Sequence, residues 1–161
     1  EALLRDLALT LFRAGGINGM VGGQWLDLEA EGRDLGLAEL RAVHAGKTGA
    51  LIQACCTLGG LAAGADPATL DALAAYGRDV GLAFQVADDV LDATATSAQL
   101  GKTAGKDAEV GKSTYVGLLG VAGATAEAAR LARAAEEAVA ALGPGAESLR
   151  LLARYIVQRS R

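Results

Sequence analysis

The segment at residues 46–65 is apolar over nearly its whole length, apart from a polar start in the sequence GKT. A helix that is hydrophobic on most sides is stable only where other helices cover it. The Asp66-Pro67 pair that follows is a strong helix start, because aspartate can cap a helix and proline tolerates its first turn. The sequence therefore predicts a helical bundle with residues 46–65 near its middle.

The composition favours the same all-α fold class. The 161 residues are 52% hydrophobic but only 4% aromatic, and alanine and leucine dominate. Strands favour β-branched and aromatic residues, which are scarce here. We find no internal repeat, linker or second domain, and we expect one helical domain over residues 1–161.

Periodicity and helix breakers place the other elements. Helical spacing runs from residue 1 to about residue 30 and is interrupted by glycine pairs at 15–16 and 22–23. Such pairs indicate close approach of the backbone to another helix or to a ligand. Residues 31–36 and 93–112 are expected to be loops. The remaining predicted helices span residues 37–45, 46–65, 67–93, 113–120, 125–142 and 146–159, with Ser113 and Thr125 as caps.

Charge and cysteine usage exclude several classes of function. The net charge of -4, without a long basic run, differs from the footprint of a nucleic-acid binder. The sequence has no uninterrupted apolar segment of about 20 residues, which is the length that would predict a membrane span. We therefore expect a cytoplasmic protein. The adjacent Cys55 and Cys56 would point about 100° apart on a helix, which suits neither a disulfide nor a metal site. We expect both to be buried reduced thiols.

Three carboxylates interrupt an apolar run in GLAFQVADDVLD, residues 81–92. Asp88 and Asp92 are four positions apart, so on a helix they project side by side, whereas Asp89 lies about 100° away. Neighbouring carboxylates repel, and a cation between them removes that cost. Mg²⁺ is suited to this role, because it takes oxygen ligands and is commonly held by carboxylates and substrate phosphates. The alternative is a solvated stripe on an amphipathic helix.

The flanking sequence favours the metal site. The residues before the aspartates are too apolar for an exposed face, and a glycine-rich segment after them carries Lys102, Lys106 and Lys112. A metal ion on one side and ammonium groups on the other would neutralise a diphosphate.

These segments resemble the trans-polyprenyl diphosphate synthases, the family of farnesyl and geranylgeranyl diphosphate synthases. GLAFQVADDVLD is similar to the family's second aspartate-rich motif, and LGKTAGKDAEVGKSTYVGLLG to the sequence that follows it in bacterial farnesyl diphosphate synthases. INGMVGGQWLDLEAEGR, HAGKTGALIQACCTLGGLAAGA and the terminal YIVQRSR resemble further family segments.

The resemblance covers the whole chain but only the later part of a family member. It implies the C-terminal part of the isoprenoid-synthase helical bundle, without the first aspartate-rich motif and the residues that hold isopentenyl diphosphate. The chain also begins at Glu1 inside a predicted helix, as if it had been cut. The family implies Mg²⁺ as cofactor, allylic and isopentenyl diphosphates as substrates, and a homodimer in the full-length protein.

The resemblance also implies roles for individual residues. Asp88 would bind Mg²⁺ directly, Asp92 would bind it directly or through water, and Asp89 is the weaker candidate. Lys47 and Lys102 would contact the allylic diphosphate. The implied catalytic set is Lys47, Thr48, Gln85 and Lys102; the substrate-binding set is Lys47, Phe84, Gln85, Lys102 and Lys112; Asp107 is a supporting residue.

Other residues near these motifs are less informative. Lys47 is expected to begin an apolar helix, where a cation opposes the helix dipole and needs an anion nearby. For Gln24 and Asp27, a structural role and a pocket role are equally compatible with the sequence. We expect His44 to be structural and Trp25 to lie in the core.

Three functions remain open at this point. The chain could be a piece of a prenyltransferase that condenses an allylic diphosphate with isopentenyl diphosphate to give farnesyl diphosphate, and that is inactive alone. It could be a non-catalytic or regulatory subunit of a heteromeric prenyl synthase. It could be a bundle without a ligand. A dedicated non-catalytic subunit would be expected to lose some of these aspartates and lysines, which are all present, so the first hypothesis is favoured.

Overall fold

The computed structural model describes residues 1–94 and 112–159, and these residues form helices and short connections without a strand. This confirms the predicted all-α class. The elements in chain order are α1 (Ala2–Gly15), α2 (Met20–Glu29), α3 (Leu37–His44), a π-helical turn (Ala45–Gly49), α4 (Ala50–Ala62), α5 (Pro67–Thr94), α6 (Tyr115–Ala138), a 3-10 segment (Ala140–Ala146) and α7 (Glu147–Gln158).

Helix α5 is the central element, and it packs against α4, α6, α7 and the π-helical turn. Its buried side chains enter two separate apolar clusters, because successive turns of a long helix face different neighbours. One cluster comprises Leu40, Ala83, Val86, Tyr115, Ala124, Ala128 and Leu131. The other comprises Tyr76, Val80, Ala135, Val139, Ala146, Ala153 and Ile156.

The helical segment around residues 37–62 differs from the prediction at one boundary. No helix begins at residue 46; α3, the π-helical turn and α4 follow one another without a break. The predicted start at Asp66 is confirmed, since Asp66 Oδ1 accepts a hydrogen bond from the N–H of Thr69 at 2.7 Å. Helix α5 therefore begins with a capped first turn.

The two caps predicted around α6 are wrong. Its N-cap is Thr114 rather than Ser113, and the Thr114 side chain accepts a hydrogen bond from the N–H of Gly117 at 3.0 Å. Thr125 lies inside α6, where its hydroxyl donates to a carbonyl one turn earlier. The helix is kinked at Gly120, whose φ of 70° favours glycine. The break predicted at Gly120 is thus a kink, and the helix resumes directly after it.

Several apolar side chains predicted to be buried are exposed. Trp25 is 64% exposed, and Cys55 is also exposed, so both predictions of burial are wrong. Cys56 is partly buried, and burial raises the pKa of its thiol. Helix α1 buries no residue and carries exposed leucines. No helix in residues 1–94 or 112–159 has the length and apolarity needed to cross a bilayer.

At Gly23 and Gly46, the backbone of helix α2 lies directly against the backbone of the π-helical turn. A methyl group added at Gly23 would lie 2.0 Å from the backbone N of Lys47 and 2.4 Å from the carbonyl carbon of Gly46. A methyl added at Gly46 would lie 2.9 Å from the Cα of Gly23. The close approach that the sequence predicts at the second glycine pair is therefore present, and only glycine fits at this contact.

We predict that Gly23→Ala destabilises the protein by about 1–3 kcal/mol, because the added methyl must push the two backbones apart. Gly59→Ala is the matched control. Gly59 lies in α4, and a methyl added there would have nothing within 4 Å, so alanine should stabilise that helix by roughly 0.5–1 kcal/mol. Urea unfolding measures both. Equal changes in the two variants would contradict the close contact at Gly23.

Candidate functional site

The predicted site residues on the C-terminal half of α5 lie in two neighbouring rows. Phe84, Asp88 and Asp92 follow one another at four-residue spacing and form the first row. Gln85 and Asp89 form the second row, about 100° around the helix. The predicted site residues on α5 therefore face two directions.

The side chain of Arg159, which directly follows α7, covers part of the first row. A guanidinium nitrogen of Arg159 donates to Asp88 Oδ1, and the same guanidinium stacks over the Phe84 ring with its carbon 4.3 Å from the ring centroid. Burial raises the pKa of the Asp88 carboxyl, Arg159 works to lower it and the neighbouring charge of Asp92 raises it further. Asp92 itself is exposed. A partly buried carboxylate beside a second, solvated one favours a cation.

The second row lines a polar cavity of about 240 Å³. This volume is well above the roughly 10–15 Å³ that a single water needs, so the cavity has room for a small anion. The cavity is lined by Asp27, Ala30, Leu35, Leu40, Val43, His44, Lys47, Gln85, Asp89, Lys112, Ser113 and Thr114.

Asp27 joins two lysines from different parts of the chain in this cavity. Its Oδ2 accepts a hydrogen bond from Lys47 Nζ at 2.7 Å and another from Lys112 Nζ at 3.2 Å. Burial alone would raise the pKa of Asp27, but the hydrogen bonds and charges of both lysines hold it below its ordinary value. Asp27 lies one turn after Gly23 and Lys47 directly follows Gly46, so the glycine contact places these two charges together.

His44 lies beside this charged group and is 9% exposed. Its Nδ1 has no hydrogen-bond partner among the described residues. The pKa of His44 is lowered to about 4, chiefly by burial and also by the charges of Lys47 and Lys112, whereas the Asp27 charge acts to raise it. His44 is therefore a neutral imidazole at neutral pH. The predicted structural role agrees with its burial, although it also lines the cavity.

Asp89 connects α5 to the start of α6. Its Oδ2 accepts a hydrogen bond from the backbone N–H of Tyr115 at 2.7 Å. This bond satisfies one of the amide groups that a helix leaves open in its first turn. The role of Asp89 as a metal ligand stays a prediction, and the structure gives the residue a contact with α6.

The other predicted site residues are distributed as follows. Lys47 and Thr48 lie in the π-helical turn, both half-buried. Because no helix begins there, the helix-dipole argument for Lys47 is wrong; its counter-charge is Asp27. Gln85 and Lys112 line the polar cavity. Lys102, Lys106 and Asp107 lie outside the described residues.

The donor set of the first row fits a hard cation only in part. Carboxylate oxygens are the ligands that Mg²⁺ prefers, and Asp92 is open to solvent. Within residues 1–94 and 112–159, however, no group of three or more acidic, histidine or cysteine side chains is close enough to hold a metal. The assignment of Asp88, Asp89 and Asp92 to Mg²⁺ therefore stays a prediction.

Two contacts of the site are not evident from the sequence. The role of Asp27 is undecided there, because its lysine partners are 20 and 85 positions away. The signal that could identify it is its position one turn after the glycine pair that touches the Lys47 backbone. In the sequence, Arg159 is one of two arginines in the segment YIVQRSR. Nothing in the local sequence indicates its contact with Asp88, which lies 71 positions earlier.

Comparison with known proteins identifies the family. The family model described as polyprenyl synthetase matches residues 5–143, and the chain belongs to this family. A dimethylallyltranstransferase of Fischerella ambigua is 45% identical over 161 residues, which are 99% of this chain and 46% of that protein. Farnesyl diphosphate synthase of Escherichia coli is 45% identical over 155 residues, 94% of this chain and 52% of that enzyme.

Solved structures show the same fold. An FPP/GFPP synthase from Zymomonas mobilis has a TM-score of 0.82 at 35% identity, covering 96% of this chain and 51% of that one. A geranyltransferase from Helicobacter pylori, complexed with magnesium and isoprenyl diphosphate, has a TM-score of 0.81 at 34% identity, with 98% and 52% covered. The chain spans about half the length of the relatives it matches.

We predict that His44 makes the free energy of unfolding depend on pH between about 6.5 and 4. Its pKa is about 4 in the folded state against an ordinary value of 6.5, so in this window the unfolded state binds more protons. The stabilisation is complete above pH 6.5 and is lost as the pH falls to 4, by up to about 3 kcal/mol.

The measurement is urea unfolding of the wild type and of His44→Gln across this window. Carboxylates titrate in both proteins, so the difference between the two curves isolates His44. The chain has one histidine, and its ring Cε1–H resonance gives the folded-state pKa directly. A midpoint near 6.5 would contradict the buried neutral imidazole.

Proposed function

We propose that the protein takes part in Mg²⁺-dependent prenyl transfer, in which an allylic diphosphate condenses with isopentenyl diphosphate, with farnesyl diphosphate as the product. The observation that carries this proposal is that one end of α5 has a carboxylate row beside a cavity containing two lysines. The polyprenyl synthetase match supplies the reaction class. Because the described residues contain only one such row, we propose that this stretch alone does not sustain turnover.

Asp88 and Asp92 would hold the metal. When bound, Mg²⁺ supplies positive charge to the departing diphosphate. Asp88 is partly buried and contacts Arg159, so the guanidinium must move or share the carboxylate when the metal binds. Asp92 is exposed and needs no such rearrangement.

Lys47 and Lys112 would neutralise the diphosphate from the second row. Their side chains are 36% and 30% exposed, so each ammonium group keeps access to solvent while bonded to Asp27. An ammonium group has three donors, and the bond to Asp27 uses one of them. Positive charge held in place before the reaction stabilises the leaving group without reorganisation.

An apolar groove of about 720 Å³ provides room for the hydrocarbon part of such a substrate. The groove is formed largely by α2, the π-helical turn and α4, so α2 and the turn contribute to both the apolar groove and the polar cavity. Its lining includes Ile17, Trp25 and Leu26, all exposed. An amphiphilic allylic diphosphate requires this combination of an apolar and a charged surface.

We propose a homodimer for the complete protein. Large apolar side chains are exposed on α1, and surfaces of this kind mark contacts with other polypeptide. Among them Leu4 is 71% exposed and Phe12 76%.

The proposed function is tested by the substitution Asp88→Asn, made in the complete protein that contains this chain. We predict that kcat falls by about 100-fold or more. The substitution keeps the shape of the side chain but removes the negative charge that would bind the metal. Asp71→Asn, an exposed carboxylate on the same helix, should leave kcat within about twofold.

The assay uses an allylic diphosphate, radiolabelled isopentenyl diphosphate and saturating Mg²⁺. Equal rates for Asp88→Asn and the wild type would contradict a catalytic role and favour a non-catalytic or regulatory subunit. Circular dichroism of both variants checks that the helical fold is retained.

A further inference from the structure

Asp27 accepts hydrogen bonds from both Lys47 and Lys112 through a single carboxylate oxygen. It comes from α2, Lys47 from the π-helical turn and Lys112 from the connection before α6. One oxygen therefore fixes the relative position of three parts of the fold. The Asp27 side chain is 16% exposed, so this oxygen is largely protected from competing water.

Asp27 offsets the repulsion between the two ammonium groups. Both lie within 3.2 Å of the same oxygen, and like charges this close are unfavourable in a partly buried cavity. Lysine side chains also have considerable rotamer freedom to move apart. Asp89 also lines the cavity, where its Oδ2 accepts a hydrogen bond from the backbone N–H of Tyr115.

We propose that Asp27 is a positioning residue that holds Lys47 and Lys112 side by side, so that their remaining donors converge on one anion of the diphosphate class. This inference rests on the proposed function for the identity of the anion. Asp27 does not contact the anion; it acts through the two lysines. The partly exposed ammonium groups and the adjoining cavity leave room for the ligand.

The first measurement concerns the lysines and requires no ligand. The chain contains four lysines, so the ¹³Cε relaxation of each can be resolved by NMR. In Asp27→Asn we expect the order of the Lys47 and Lys112 side chains to fall to that of a solvated lysine. Asp79→Asn is the matched control, because Asp79 is a carboxylate paired with Arg78 away from the cavity. Unchanged order in Asp27→Asn overturns the positioning role.

The second measurement concerns the anion. Inorganic pyrophosphate is titrated into the wild type and the two variants, and binding is followed through the His44 Cε1–H resonance and by ³¹P NMR. We expect Asp27→Asn to bind pyrophosphate about tenfold more weakly and Asp79→Asn to bind it as the wild type does. Equal binding by Asp27→Asn would mean that the lysines bind the anion without being positioned, and tighter binding would mean that Asp27 competes with the anion. Either result overturns the inference.

The two measurements separate this inference from the function on which it rests. If the wild type does not bind pyrophosphate while the lysine order still depends on Asp27, the proposed function fails and the positioning role stands. Urea unfolding separates positioning from a purely structural role, in which stability would fall without a change in lysine order or affinity. If Asp27→Asn does not fold, Asp27→Glu replaces it, because glutamate keeps the charge but displaces it by one methylene. The order of the Lys47 and Lys112 side chains and the affinity for pyrophosphate then decide whether Asp27 has a positioning role.

Discussion

The burial of α5 is the constraint on which the rest of the structure depends. Neighbouring helices cover this helix along most of its length, and the two apolar clusters both include its side chains. Its early and middle turns bury Tyr76, Val80 and Ala83 against these neighbours, whereas Asp88 and Asp92 lie in the last turns, where coverage is incomplete. The position of the polar end follows from packing: Asp88 is half-buried and Asp92, one turn later, is exposed.

Charge at this end of the bundle is balanced by residues distant in sequence. Asp88 is matched by Arg159, and Asp27 by Lys47 and Lys112. A partly buried charge is costly unless it is paired, so removing one partner of either contact would leave an uncompensated charge. Under the proposed function, the same pairs mark where a cation and an anion would enter: the cation at Asp88 in exchange for Arg159, and the anion beside Lys47 and Lys112.

The fold class, the order of the helices and most of their bounds could be predicted from local sequence, because helix periodicity and the Asp66 cap are local properties. The Gly23 contact is also signalled locally, by a glycine pair inside a helical pattern. The pairing of Asp27 and the Arg159 contact could not be predicted, because they depend on how distant helices pack. The predictions for Trp25 and Cys55 are wrong for a related reason: apolar character shows that a residue can be buried, but a neighbouring element must be present to cover it.

The proposed function depends on metal binding by Asp88 and Asp92, and paramagnetic broadening tests this binding most directly. Mn²⁺ takes the same oxygen ligands as Mg²⁺ and broadens nearby NMR signals even when it binds weakly. With pyrophosphate present, trace Mn²⁺ should broaden the amide signals of residues 88–92 most strongly, and Asp88→Asn should remove this effect. Broadening centred on other carboxylates, such as Glu127 or Glu136, or the same pattern in Asp88→Asn, would contradict the account.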